Sequence, residues 1–114
     1  MGCHSGSPTA WPTGFLHKAL SLYVPHADTQ RRKLEKAIAD SNIQAVTLIA
    51  HTMKSSTAQL GAQRLAGMYA ELETASHAGK AGDFQELYER LTPEHRTVCA
   101  LMQEELNRTG RSAA

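Results

Sequence analysis

The segment IQAVTLIAHTMKSSTAQLGA, residues 43–62, decides how the rest of the chain folds. Its inward positions recur at alternating steps of three and four residues, at Ile43, Val46, Ala50, Met53, Thr57 and Leu60. This spacing predicts one buried stripe along a long amphipathic helix. Gly61 predicts the end of that helix, because glycine readily adopts the left-handed conformation that follows many helix C-termini.

Further helical segments are predicted on both sides of this helix. Before it, a short piece over residues 15–23 is expected to stop near Pro25, where a second helix begins and runs to about Ala39. After it, helices are expected over about residues 62–79, 83–91 and 93–107, with a break at Thr92-Pro93. Helices of this length joined by short turns favour an all-α, up-down four-helix bundle with short additional N-terminal helical structure.

Composition supports one small helical domain. The 114 residues suffice for a single core, and 41% hydrophobic with only 5% aromatic residues is typical of an Ala/Leu-rich helical protein. Residues 1–14 are rich in Gly, Ser, Pro and Thr, which predicts a flexible lead or linker. We therefore expect the helical bundle over residues 15–108 and a disordered tail over residues 109–114.

Charge and hydropathy argue against several classes of partner. The formal net charge of +1 gives no electrostatic case for nucleic acid binding. No run approaches the roughly 18 apolar residues of a membrane span, and no charged leader precedes an apolar run at the N-terminus. We therefore expect a cytoplasmic protein without membrane contact. Cys3 and Cys99 are predicted to be reduced thiols there, although one disulfide between them is the alternative.

His51 is the candidate for chemistry on the long helix. It lies beside the buried stripe, so its imidazole is expected at the surface. The same helix face carries small or cationic residues, which leave room for a partner to approach: Thr47, Lys54, Ser55 and Ala58. A neutral imidazole is nucleophilic at physiological pH, and Lys54 supplies the positive charge that phosphoryl transfer requires.

The motif around His51 resembles the histidine phosphotransfer (HPt) family. The matching residues are His51-Thr52-Met53-Lys54-Ser55-Ser56, then Leu60-Gly61-Ala62, then Leu65 and Leu72-Glu73. The resemblance extends over about residues 15–106. The sequence departs from the family pattern at Met53, where Leu is usual, and at Ser55, where the family has Gly. The Ser55 change bears on transfer rate and partner choice more than on family membership.

The resemblance implies a role for each site residue. His51 would be phosphorylated, Lys54 would face the phosphate, and Glu73 would hold the inner nitrogen of His51 and so fix its tautomer. It implies receiver domains of response regulators as partners and no cofactor on this chain, with Mg²⁺ bound by the receiver. It also implies a monomer, either a stand-alone protein or the C-terminal domain of a hybrid sensor histidine kinase.

Three functions remain open from the sequence. The first is a phosphorelay intermediate that receives a phosphoryl group on His51 and passes it on without an ATP site, since no Gly-rich phosphate loop occurs. The second is an HPt-like binding module that docks a receiver without phosphotransfer, for which Ser55 is the one supporting feature. The third is a metal-binding or carrier bundle. The scattered remaining histidines oppose it, and no metal site is predicted.

Overall fold

The computed structural model describes the backbone of residues 13–113 and the side chains of residues 16–108. Four helices follow one another along the chain: α1 (Thr13–Ala39), α2 (Ile43–Gln59), α3 (Gln63–His77) and α4 (Phe84–Ala113). One turn of 3-10 helix at Ala81–Asp83 precedes α4. Each helix packs against the next, and α4 packs back on α1. The predicted all-α four-helix bundle is confirmed.

The α2 stripe forms the centre of the core. Val46, Ala50, Met53 and Thr57 are fully buried, and the two ends of the stripe pack against the same core. Burying a valine or methionine side chain, such as Val46 or Met53, stabilises a fold by about 1.5–3 kcal/mol relative to leaving it exposed. The stripe therefore fixes how far α2 can rotate about its own axis, and with it the direction of every other α2 side chain.

Short turns with defined caps bound α2. Asn42 caps the N-terminus, where its side chain accepts a hydrogen bond of 3.1 Å from the backbone N–H of Ala45. Gly61 follows the C-terminus with a φ of +89°, a left-handed value that glycine adopts without steric cost. The terminator predicted at Gly61 is thus present, and Asn42 supplies a side-chain cap at the other end. The two turns are too short for α2 to pack anywhere but beside α1 and α3.

The predicted helix boundary at Pro25 is wrong. α1 is one helix of 27 residues with Pro25 inside it, so the expected N-terminal helical piece is the first part of α1. Proline removes one backbone hydrogen bond. The core outweighs that loss, because Tyr23 and Ala27 are buried on either side of Pro25 and a continuous helix keeps both in place.

The predicted break at Thr92-Pro93 is wrong for the same reason. α4 runs through Pro93, and Leu91 and His95 on either side are buried. Thr92 is not a cap: its hydroxyl donates a 2.7 Å hydrogen bond to the carbonyl of Tyr88, one turn back in the same helix. The hydrophobic face of α4 therefore stays continuous across the proline.

The helices also extend beyond the predicted ends of the bundle. α1 begins at Thr13, inside the predicted lead, and α4 ends at Ala113, so the backbone of residues 109–113 is helical where a tail was predicted. Residues 1–12, with Cys3, lie outside the described residues. Among the described residues, no helix is long and apolar enough to cross a membrane.

Two buried polar pairs join helices across the core. The hydroxyl oxygens of Tyr23 and Thr57 lie 2.7 Å apart and link α1 to α2. The Tyr69 hydroxyl lies 3.1 Å from His95 Nδ1 and links α3 to α4. Burial raises the pKa of Tyr23 to about 12 and raises that of Tyr69 as well, so both phenols keep their protons. Each pair satisfies polar groups that would be costly to bury alone.

His95 is the buried histidine among the side chains that the structure describes. It is 3% exposed, and burial lowers its pKa below the usual histidine value. Its Nδ1 faces the Tyr69 hydroxyl, and its Nε2 lies 3.6 Å from Cys99 Sγ. Protonation would place a charge among apolar side chains, so the fold favours the neutral ring.

We expect acid to destabilise the bundle through His95. The unfolded chain binds this proton near pH 6.5, more readily than the folded one. The stability from neutral His95 is therefore complete above that pH and is lost as the pH falls through the lowered folded-state pKa. Urea unfolding should show stability falling between about pH 7.5 and pH 5, and falling less steeply in His95→Gln.

His26→Gln is the matched control for this measurement, because it removes an exposed histidine from α1. Its stability should change with pH as that of the wild type does. Equal slopes for the wild type and His95→Gln would contradict the assignment.

Candidate functional site

His51 lies in the middle of α2 on the outer side of the bundle. Its side chain is 59% exposed although the preceding residue, Ala50, is fully buried. The position follows from the α2 stripe, since a residue one step along a helix is rotated by about 100°. The prediction of a surface imidazole beside the stripe is therefore confirmed.

Glu73 of α3 contacts the inner nitrogen of this imidazole. His51 Nδ1 lies 3.0 Å from Glu73 Oε2. An ionised carboxylate only accepts hydrogen bonds, so Nδ1 is the donor and carries the proton. The neutral ring then has its lone pair on Nε2. The contact that the sequence predicted for Glu73 is present, and it selects the tautomer with Nε2 available for reaction.

Lys54 binds the other oxygen of the same carboxylate. Its Nζ lies 2.7 Å from Glu73 Oε1, and its side chain is less exposed than that of His51. The sequence predicted Lys54 one turn after His51 on the same face, and the structure brings both to Glu73. Two residues of α2 and one residue of α3 therefore form one connected cluster: His51, Lys54 and Glu73. We call this group the His51 cluster.

Electrostatics keep Glu73 ionised. The hydrogen bond from Lys54 lowers the pKa of the Glu73 carboxyl, and the bond from His51 lowers it further, against an opposing effect of burial. The side chain is only 13% exposed. A charged acceptor in this half-enclosed position makes stronger hydrogen bonds than a neutral one. Glu73 is thus a fixed anion at neutral pH and can stabilise positive charge on the His51 ring.

The backbone of α3 is held against α2 at this point. Thr47 Oγ1 lies 2.8 Å from Ser76 Oγ, and Ser76 donates a 2.7 Å hydrogen bond to the Glu73 carbonyl. Leu72, next to Glu73, is fully buried. These contacts fix the register between the two helices. The backbone therefore places Glu73 opposite His51.

The three predicted partner-contact residues have different surroundings. Ser55 is exposed one turn after His51, and Ala58 is partly buried beyond it. Thr47 is partly buried, with its hydroxyl directed at Ser76 of α3. Ser55 is therefore the most accessible of the three, and Thr47 has a structural contact as well.

Two residues beside His51 were missed by the sequence analysis. Leu48 is 66% exposed, unusual for so large an apolar side chain. His77 ends α3, and its Nε2 lies 3.6 Å from Glu73 Oε2. With His51 and Glu73 they line an open hollow of about 540 Å³. The Glu73–His77 spacing of four residues was the available signal, because such pairs share a helix face.

The site has no arrangement suited to a metal ion. Among the side chains that the structure describes, no group of three or more His, Cys, Asp and Glu residues could hold one. Both oxygens of Glu73 already accept hydrogen bonds, Oε1 from Lys54 and Oε2 from His51. The available chemistry is that of an exposed imidazole nitrogen next to fixed charges.

Comparison with known proteins agrees with this geometry. The family model described as Hpt domain matches residues 18–112. The crystal structure of histidine-containing phosphotransfer protein B from Pseudomonas aeruginosa PAO1 is similar, with a TM-score of 0.77 and 28% identity over 81% of this chain and 80% of that one. No curated protein matches the sequence significantly. The chain belongs to the Hpt domain family and is a histidine phosphotransfer intermediate of a phosphorelay.

Proposed function

We propose that His51 Nε2 carries the phosphoryl group, receiving it from the aspartate of one receiver domain and passing it to the aspartate of another. The observation that carries this assignment is the hydrogen bond of 3.0 Å between His51 Nδ1 and Glu73 Oε2 in a side chain that is otherwise exposed. It leaves Nε2 as the reacting nitrogen. The exposure of the ring lets a partner protein reach that nitrogen.

The proposed step needs no proton transfer. The Nε2 lone pair attacks the phosphorus of the receiver's aspartyl phosphate, and the bond between phosphorus and the aspartate oxygen breaks with its electrons on that oxygen. The His51 ring keeps its proton on Nδ1 and becomes cationic. Glu73 is positioned to stabilise this cation, because its carboxylate is ionised and already bound to Nδ1. Attack by another receiver's carboxylate oxygen reverses the sequence.

Lys54 supplies charge to the phosphoryl group in this proposal. Its ammonium has three N–H donors, and the contact with Glu73 Oε1 uses one. The other two are available for phosphoryl oxygens on His51, one helical turn away. Lys54 therefore neutralises charge that spreads over those oxygens in the transition state.

We further propose that receiver domains dock on the face around His51. Leu48 and Ser55 are the exposed residues one turn to either side of the imidazole. An exposed apolar side chain next to a reactive group is typical of a protein contact surface. The chain would act as a monomer with no metal of its own, and Mg²⁺ would enter with the receiver. A hybrid histidine kinase fits as the source of one receiver.

A docking module without phosphotransfer is the alternative function. Ser55 favours it, because its exposed side chain replaces the family's glycine one turn after His51 and could hinder a close approach. The contacts of Glu73 with His51 and Lys54 support phosphotransfer instead. Receiver binding without transfer by the wild type would support this alternative.

Replacement of His51 should abolish labelling. We expect a phosphorylated receiver to transfer its label to the wild type, as acid-labile and base-stable phosphate, and to leave His51→Gln unlabelled because the nucleophile is absent. Gel-based transfer with radiolabelled receiver measures this. His26→Gln, an exposed histidine elsewhere, should label like the wild type. Label retained on His51→Gln would show that another residue accepts the phosphoryl group.

Loss of the Glu73 carboxylate should slow transfer without preventing docking. We expect Glu73→Ala to reduce the transfer rate by about 10–100-fold, the range found when a group that orients a functional histidine is removed. Glu73→Gln retains an acceptor for Nδ1 and should lose less. Rates come from single-turnover transfer, with receiver binding measured by calorimetry. A rate for Glu73→Ala equal to that of the wild type would refute the orienting role.

An acidic residue at position 48 should weaken docking. Leu48→Asp removes an exposed apolar contact and should raise the Kd for a receiver at least about tenfold, which equals about 1.4 kcal/mol. Leu101→Asp is the control, because Leu101 is 59% exposed on α4, away from the α2 face. Calorimetry gives both constants. Equal Kd values for Leu48→Asp and the wild type would place the docking face elsewhere.

A further inference from the structure

Ser55 is an exposed residue of α2, one turn after His51. Residues four positions apart on a helix are neighbours, with about 5–6 Å between their Cβ atoms. Side chains on a helix lean toward its N-terminus, so the side chain of Ser55 lies over the turn that carries His51. The serine hydroxyl and the imidazole are therefore adjacent on the solvent side of α2.

The hydroxyl of Ser55 has no hydrogen-bond partner among the residues that the structure describes. Serine and threonine within a helix often donate to the carbonyl one turn back. Two residues of α2 do so, Thr47 to the Ile43 carbonyl at 2.9 Å and Ser56 to the Thr52 carbonyl at 3.1 Å. Ser55 makes no such bond, so its O–H is available to a group that is not part of the unmodified chain.

Lys54 and Ser55 lie on opposite sides of His51. At 100° per residue, Lys54 is turned about 60° to one side of His51 and Ser55 about 40° to the other. The Lys54 side is the α3 side, because Lys54 and His51 both bind Glu73 there. A group bonded to the outer nitrogen of His51 therefore has the ammonium on its α3 side and the serine hydroxyl on its solvent side.

We propose that Ser55 Oγ donates a hydrogen bond to a phosphoryl oxygen carried on His51, on the side of the ring away from Lys54. This inference rests on the proposed phosphorylation of His51. A phosphoryl group brings three strong acceptor oxygens to the site. Lys54 balances part of their charge, and Ser55 adds a neutral donor. The serine keeps its proton throughout, so the bond adds no chemical step.

This hydrogen bond forms only in the phosphorylated protein. It stabilises phosphorylated His51 relative to the free imidazole, and it therefore shifts the transfer equilibrium from the receiver toward this chain. Steric hindrance by the Ser55 side chain would act differently. A side chain that obstructs the receiver slows transfer in both directions and leaves the equilibrium constant between the free proteins unchanged.

Three substitutions of Ser55 separate the hydroxyl from the bulk of the side chain. Ser55→Ala removes only the hydroxyl, and its equilibrium constant for transfer from a phosphorylated receiver should fall by about threefold to tenfold, the scale of one hydrogen bond. Ser55→Gly should fall by a similar factor, and Ser55→Thr, which retains the hydroxyl, should keep the wild-type constant. The constant is the ratio of label on the two proteins at equilibrium, approached from both directions.

Thr52→Val is the matched control. It removes a hydroxyl from the residue next to His51 with little change in size, and Thr52 lines a hollow between α1 and α2, away from the Lys54 side. Its equilibrium constant should equal that of the wild type. Urea unfolding checks the fold of each variant. Ser55→Ala should unfold no more readily than the wild type, because the hydroxyl that it lacks has no partner in the described part of the unphosphorylated chain.

The outcomes distinguish this inference from the proposed function. A lower constant in Ser55→Ala and Ser55→Gly, with Ser55→Thr and Thr52→Val unchanged, supports the hydrogen bond. Label on His51 with equal constants for the wild type and Ser55→Ala overturns it and leaves the proposed function standing. Faster transfer by Ser55→Gly at an unchanged constant also overturns it and identifies Ser55 as an obstacle to the receiver. If His51 never accepts phosphate, the proposed function fails and this inference fails with it.

Discussion

The packing of α2 against α3 is the constraint on which the site depends. Every group of the His51 cluster lies on one of these two helices, and a turn centred on Gly61 joins them. The buried α2 stripe fixes the rotation of α2, and the Thr47–Ser76 contact fixes its register against α3. His51 and Glu73 therefore meet through the fold of the backbone. A shift of one residue in α3 would turn the carboxylate to another face of the bundle.

The energetics of the cluster suit an intermediate that must both accept and release a group. Exposed ion pairs contribute little to stability, typically about 0–1 kcal/mol. The hydrophobic core supplies the stability that holds the helices together. The contact of Glu73 with His51 therefore serves to favour one tautomer of the ring. Because the supporting charges are modest and partly exposed, the phosphorylated ring would gain stabilisation without becoming a thermodynamic trap. Reversible transfer between two aspartates needs this balance.

The sequence predicted the inner features of the fold better than its helix boundaries. The α2 stripe and the Gly61 turn both follow from local spacing and conformational preference, and both are present. The predicted breaks at Pro25 and Pro93 were wrong. The free-energy cost of a proline is local, whereas the burial of the neighbouring side chains that outweighs it depends on packing against other helices. The pairing of Glu73 with His51 could be expected from the family resemblance. The approach of His77 to Glu73 was missed, although their spacing of four residues on one helix was the available signal.

The two helices with internal prolines, α1 and α4, are the two that contribute no residue to the His51 cluster. Each proline lacks the N–H that would continue the hydrogen-bond ladder. α2 and α3 contain no proline, and their ladders are uninterrupted. Bending of the bundle is therefore easiest on the side away from the chemistry. Strain in α1 or α4 would then leave the distance between His51 Nδ1 and Glu73 Oε2 unchanged. The fold thus places both interrupted hydrogen-bond ladders outside the pair of helices that carries the His51 cluster.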